Sequence, residues 1–201
     1  MRKFIVIFMC VLLLCVGCTT VPMHSKNTEI FEVNDSPLLY DVPPLWYQLD
    51  PHYRGLPYGY DTIGESGCGL CSAATAISFI EQDNITPLDL YNKYSDSCVV
   101  YGVNDMALFC EHFREDYGTV NSEQLWFIDQ ALEHLAQGHL IFASVEGTLA
   151  GAEYGGHIVV LWKDKGDDYY VIDSMQLHPT RMLKDVLVQN DFVYFYAIWK
   201  E

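Results

Sequence analysis

The chain has 201 residues, enough for one domain plus a targeting segment, and half of them are apolar, so a sizeable core can form. Its 27 acidic side chains against 11 basic ones leave a formal net charge of −16, which excludes a nucleic-acid binder that gains its affinity by neutralising phosphates. The same balance disfavours strongly anionic substrates and suits a secreted or cell-surface protein.

In chain order, Arg2-Lys3 precede an apolar run from Phe4 to Val16, the charged and apolar regions of a secretory signal. The run falls short of the about 20 apolar residues that a membrane-crossing helix needs. Its end, Leu14-Cys15-Val16-Gly17-Cys18, resembles the lipobox of bacterial lipoproteins, with Cys15 where leucine is usual. That resemblance implies a signal peptide over residues 1–17, a lipid on Cys18 as the mature N-terminus, and a membrane-anchored protein on the extracytoplasmic face. An uncleaved anchor and an ordinary secretory signal are the other readings of this segment. Residues 18–42 contain Thr, Ser, Asn and Pro with little apolar periodicity and read as a tether. The folded domain is expected over residues 43–201, opening at Pro43-Pro44-Leu45-Trp46-Tyr47.

Ala73, Ala76, Ile77 and Ile80 recur at helical spacing and predict a buried helix over residues 69–81. Thr86-Pro87-Leu88-Asp89 reads as a cap with proline at the first helical position, opening a second helix to about Tyr94. Asn104 to Phe113 is a further helical segment, and so is Ser122 to Ala136, with Leu125, Ile128, Leu132 and Leu135 on one face and a stop at Gly138. Beyond Gly138 the period changes. Leu140 to Val145, His157 to Trp162, Tyr169 to Ile172 and Phe192 to Trp199 are β-branched and aromatic runs separated by Gly and Asp turns, which are strand signals. Helices in the first half and an antiparallel sheet in the second predict an α+β domain.

The chemistry centres on Gly67-Cys68-Gly69, where a flexible turn enters a helix. A thiolate is the reactive form of cysteine, and a helix N-terminus stabilises it through unpaired N–H groups and the positive end of the dipole. Cys71 falls about one turn further in and faces the core. His157 is the best partner among the seven histidines: Gly155-Gly156 open space beside it and a strand holds the ring. An imidazole near neutrality can take the thiol proton and return it to a leaving amine. Asp173 closes the next strand and, if the two strands pair, returns to the same end of the hairpin to orient the ring.

Gln48-x-Asp50-Pro51, Tyr58-Gly59, Gly67-Cys68-Gly69, Thr86-Pro87, Gly156-His157-Ile158-Val159-Val160-Leu161 and Tyr170-Val171-Ile172-Asp173 together resemble the papain-like cysteine peptidases related to the bacteriocin-leader-processing, double-glycine enzymes. The likeness runs from about Trp46 to Trp199. It implies a papain-like fold with N-terminal helices packed on a C-terminal antiparallel sheet. It further implies Cys68 as nucleophile, His157 as base, Asp173 as the group that orients it, and Gln48 as oxyanion donor. Ser174-Met175 stands where relatives commonly carry proline. Leader-processing members are fused to transporters, and with no such module in this sequence that specific role is not expected.

The expected activity is hydrolysis of a peptide or protein substrate, with no cofactor, no metal and no nucleic acid. A cell-wall peptide amidase or endopeptidase would use the same residues. A catalytically silent peptide-binding domain and a thiol oxidoreductase built on Cys68-x-x-Cys71 are the readings from other classes. A zinc site would need two further ligands, which Cys98, Cys110 and His112 do not supply as a tight pair. Cys98 and Cys110 are either a disulfide or two packed thiols.

Overall fold

The structure, a computed structural model, describes residues 39–166 and 168–201. The signal segment, the lipid site at Cys18 and nearly all of the tether lie outside the described residues. Short strands β1 (Pro57–Tyr58) and β2 (Asp61–Thr62) pair antiparallel and lead through the single-turn helix α1 (Ile63–Ser66) into α2 (Cys68–Glu81). Helix α3 (Pro87–Tyr94) begins at the expected cap: Thr86 and Asp89 exchange side-chain to backbone hydrogen bonds in a capping box. After a 3-10 turn over Ser95–Cys98, β3 (Val99–Val100) and β4 (Val103–Asn104) form a small hairpin.

Helix α4 (Met106–Tyr117) starts two residues later than its periodicity predicts, because Asn104 closes β4 and Asp105 caps the helix by accepting from the N–H groups of Ala107 and Leu108. The expected helix over residues 122–136 is corrected more deeply. Its first part belongs to strand β5 (Val120–Leu125), and only α5 (Ile128–Ala136) is helical. The Gln130 side chain accepts from the N–H groups of Trp126 and Phe127 and so starts the helix there. Upstream of that point the buried ends Val120 and Leu125 and a ladder of pairing override the helical spacing of Leu125.

The remaining elements are β6 (Leu140–Leu149), β7 (Ala152–Lys163), β8 (Tyr169–Ile172), β9 (Thr180–Met182), the short α6 (Lys184–Leu187) and β10 (Phe192–Lys200). Strands β6 and β7 outrun their predicted lengths, so the stretch 147–155, to which the sequence assigns no strand, is the arm of a hairpin turning at Ala150-Gly151. The sheet runs β5-β10-β6-β7-β8-β9, antiparallel throughout.

One face of the sheet, with Leu140, Phe142, Ile158, Val160, Ile172 and Ile198, packs against α2 and the helices around it. The other face, with Ile141, Ala143, Val145, Val159, Leu161 and Val171, is covered by α5 and Leu187. Burial on both faces accounts for the unbroken apolar runs of the central strands. It also adds to the expectation, because α5 and the short α6 lie on the far side of the sheet from α2. Helix α2 is buried from Cys68 to Ser78, and its small residues Ala73, Ala74 and Ala76 let it lie close against its neighbours. Ser72 ties it to the sheet by donating to the Ile158 carbonyl at 3.1 Å.

Candidate active site

Cys68 is the first residue of α2, where the helix presents backbone N–H groups with no partner inside the helix. Its side chain is 9% exposed. Two small hairpins close over it. Asn104, at the end of β4, donates from Nδ2 to the Ser66 carbonyl at 2.7 Å and reaches Cys68 Sγ at 3.6 Å. Its Oδ1 accepts from the Tyr58 hydroxyl at 2.9 Å. This amide lies so close to the helix that a Cβ added at Gly69 would stand 2.4 Å from Asn104 Cβ. The glycine after the cysteine is therefore a seat for Asn104 as well as a flexible joint.

His157 sits on β7 across the same cleft and is buried, as is Asp173 just past the end of β8. Pairing of Val160 with Ile172 brings them together, with His157 Nε2 at 2.7 Å from Asp173 Oδ1. With Nε2 engaged by Asp173, Nδ1 is the ring nitrogen left for the cleft that His157 shares with Cys68. Burial works against a charged imidazole, but hydrogen bonds to Asp173 and Cys68 and the attraction of both outweigh it and raise the His157 pKa to about 9. Burial likewise opposes ionisation of Asp173. Hydrogen bonds from His157, from the Tyr154 hydroxyl and from the Met175 backbone N–H overcome it and hold the carboxyl below its ordinary value. The two shifts run in opposite directions and both favour the charged forms, as expected for an imidazolium beside a carboxylate.

Gln48 is 2% exposed and hangs from the turn after β8: its backbone N–H donates to the Ser174 carbonyl at 2.8 Å. The Ser174 hydroxyl donates to Gln48 Oε1 at 3.0 Å, and Nε2 in turn donates to the Gly64 carbonyl at 3.2 Å. Ser174 thereby decides which end of the amide faces the cleft. One of the two Nε2 hydrogens is engaged by Gly64 and the other remains for a ligand.

Gln48, Cys68, Asn104 and His157 line one cleft of about 530 Å³. Among the described residues its lining includes Glu65 and Glu153 and no lysine or arginine. A second cleft of about 540 Å³, lined by Ala150, Thr180–Leu183 and Val186, holds no histidine, cysteine or carboxylate among the described residues and shares no lining residue with the first. Cys71, Cys98 and Cys110 are all buried free thiols, so Cys98 and Cys110 are not joined. Burial pushes Cys98 up to about 11 and Cys110 up to about 12, and pushes Cys71 further still. No group of three or more metal-ligating side chains occurs among the described residues.

The four residues singled out in sequence are thus brought together, and Cys18 lies outside the described residues. Three residues escaped the sequence reading: Asn104, Ser174 and Tyr154. In sequence Asn104 reads as the start of a helix, whereas it closes β4, and Ser174 looks like an ordinary turn polar. Tyr154 lies three residues before His157, where the sequence assigns no strand, and only the length of β7 reveals its place.

No family profile matches the sequence, and no curated protein matches it. Among solved structures the chain is similar to a candidate C39-like peptidase from Bacillus anthracis, with a TM-score of 0.51 at 13% identity over 79% of this chain and 95% of that one. A double-glycine motif protease from an AMS/PCAT transporter, solved with its leader peptide, aligns over 79% of this chain and 91% of that one, with a TM-score of 0.49 at 13% identity. The Salmonella effector SpvD aligns over 87% of this chain and 95% of that one, with a TM-score of 0.41 at 13% identity. The six-stranded antiparallel sheet with α2 across one face is therefore a papain-like α+β fold of the C39-like peptidase type.

Proposed function

We propose that this protein is a cysteine peptidase that hydrolyses peptide bonds with Cys68 as nucleophile. One observation carries the reading: Cys68 heads a buried helix and faces a histidine whose other nitrogen is held at 2.7 Å by a buried carboxylate. Cys68 reacts as the thiolate of a thiolate–imidazolium pair, its proton already resting on His157, and the sulfur adds to the substrate carbonyl carbon. The resulting oxyanion is met by the Cys68 backbone N–H and the unengaged Nε2 hydrogen of Gln48. Collapse breaks the C–N bond, and His157 gives its proton to the leaving amine. Water, deprotonated by His157, then attacks the thioester, releasing a carboxylate and restoring the thiol. Asp173 holds the imidazole in the required tautomer throughout.

The N-terminal segment supports a membrane-tethered, extracytoplasmic setting through a lipid on Cys18, followed by the signal and tether boundaries given above. Loss of radiolabelled palmitate incorporation in Cys18→Ser tests that part. For the activity, the purified full-length protein is incubated with a diverse peptide mixture and new N-termini are read by mass spectrometry. Termini produced by wild type and absent with Cys68→Ala are expected. Identical terminus sets from the two proteins would contradict hydrolysis and favour a peptide-binding role.

A further inference from the structure

Tyr154 and His157 are three residues apart on β7, and in a regular strand an odd separation sends two side chains to opposite faces. Here they share a face. Tyr154 pairs with Gly147 and His157 with Val145, so three steps on β7 oppose two on β6. The extra residue is absorbed at Gly155-Gly156, where Gly156 has φ +135°, a conformation that disfavours any side chain. This bulge resets the alternation and lays the Tyr154 ring on the His157 imidazole, with centroids 4.5 Å apart and planes within 6°. From that position the Tyr154 hydroxyl donates to Asp173 Oδ2 at 2.6 Å. Asp173 Oδ1 is already engaged by His157 Nε2 and by the Met175 backbone N–H at 2.8 Å.

We propose that Tyr154 is a positioning residue for the proposed reaction, clamping both members of the His157–Asp173 pair from one side and shielding their hydrogen bond from water. The inference rests on the Cys68–His157 reading above. The carboxylate has two oxygens, and with Oδ2 unheld it could turn about its Cβ–Cγ bond and carry the imidazole with it. The stacked ring removes the space into which the imidazole would swing. The tyrosine keeps its proton through this work, since burial and the hydrogen bond to Asp173 push its pKa up to about 12. The double glycine before the histidine is, on this account, the device that delivers an aromatic ring to the site as much as an opening beside it.

The test compares the full-length protein with Tyr154→Phe, Tyr154→Ala and His157→Ala. The readouts are the second-order rate of Cys68 alkylation by iodoacetamide at pH 7, thermal unfolding, and the downfield proton resonance of His157 Nε2–H. Tyr154→Phe retains the stack and is expected to lose about tenfold or less in rate, from one hydrogen bond to a charged group. Tyr154→Ala is expected to lose at least about tenfold more and to lose the downfield resonance, with thermal unfolding close to that of Tyr154→Phe. A Tyr154→Ala rate within twofold of wild type, with His157→Ala strongly slowed, would overturn the role of Tyr154 and leave the Cys68–His157 pair standing. Equal rates in wild type and His157→Ala would overturn the pair itself, and the inference with it.

Discussion

At the scale of single residues, the site is a set of polar groups held one by another. Gln48 has its amide orientation fixed by Ser174 and Gly64, which in the proposed mechanism would preset its second Nε2 hydrogen for the oxyanion. Gln48→Ala is expected to lower turnover on the order of a hundredfold while alkylation of Cys68 by iodoacetamide, which needs no oxyanion donor, stays within a few-fold of wild type. Equal losses in both assays would mean that the glutamine supports the fold and not the oxyanion. The His157–Asp173 pair makes a second prediction, in stability. A pKa raised from 6.5 to about 9 stabilises the fold fully below about pH 6.5, and that contribution fades as pH rises to 9. Chemical denaturation at stepped pH is expected to show unfolding free energy declining across that window by roughly 1–3 kcal/mol. In His157→Ala the decline should be smaller by that amount. Asp173, held below its ordinary value, adds stability that is lost only as the solution becomes strongly acidic.

At the scale of elements, the two small hairpins and the β7 bulge decide where these residues point. Asn104 is carried by β4 and fits over the helix only because Gly69 has no side chain. Gly69→Ala places a methyl group within 2.4 Å of Asn104 Cβ and must displace it. The expected result is a loss of stability of about 1–3 kcal/mol together with slower alkylation of Cys68, measured by denaturant titration and thiol kinetics. The bulge makes a sharper case. Gly156→Ala introduces no clash, since nothing lies within 4 Å of the added carbon, but it strains a backbone held at φ +135°. Activity is expected to fall further than stability, because relaxing the bulge turns Tyr154 and His157 onto opposite faces. Much of the element order was legible in the sequence: α2, the Thr86 cap of α3 and the cores of β6, β7, β8 and β10 follow from periodicity and turn residues. Strand β5 was not, because its burial at Val120 and Leu125 depends on pairing with β10, more than sixty residues downstream. The arm of the β6–β7 hairpin was hidden by its glycines, which read as loop and are bulge and turn.

At the scale of the whole molecule, an acidic sequence surrounds a cleft with no lysine or arginine among its described lining residues. Glu65 and Glu153 on the rim and a net charge of −16 set a negative field around Cys68. The candidate site was legible as Cys68, His157 and Asp173 from their own spacing and chemistry, and as Gln48 from the family resemblance, and the structure brings the four near one another. The groups that orient them were not legible, since Asn104, Ser174 and Tyr154 act through contacts that sequence spacing does not encode. The central claim is that Cys68 is an activated thiol paired with His157, in a protein whose three other described cysteines are buried and pushed toward the protonated form. The most direct measurement treats the full-length protein with iodoacetamide at pH 7 and locates the modified cysteines by mass spectrometry over time, in wild type and in His157→Ala. Rapid modification of Cys68 ahead of Cys71, Cys98 and Cys110, lost in His157→Ala, is the predicted result. Slow modification of Cys68 at a rate unchanged in His157→Ala would contradict the account.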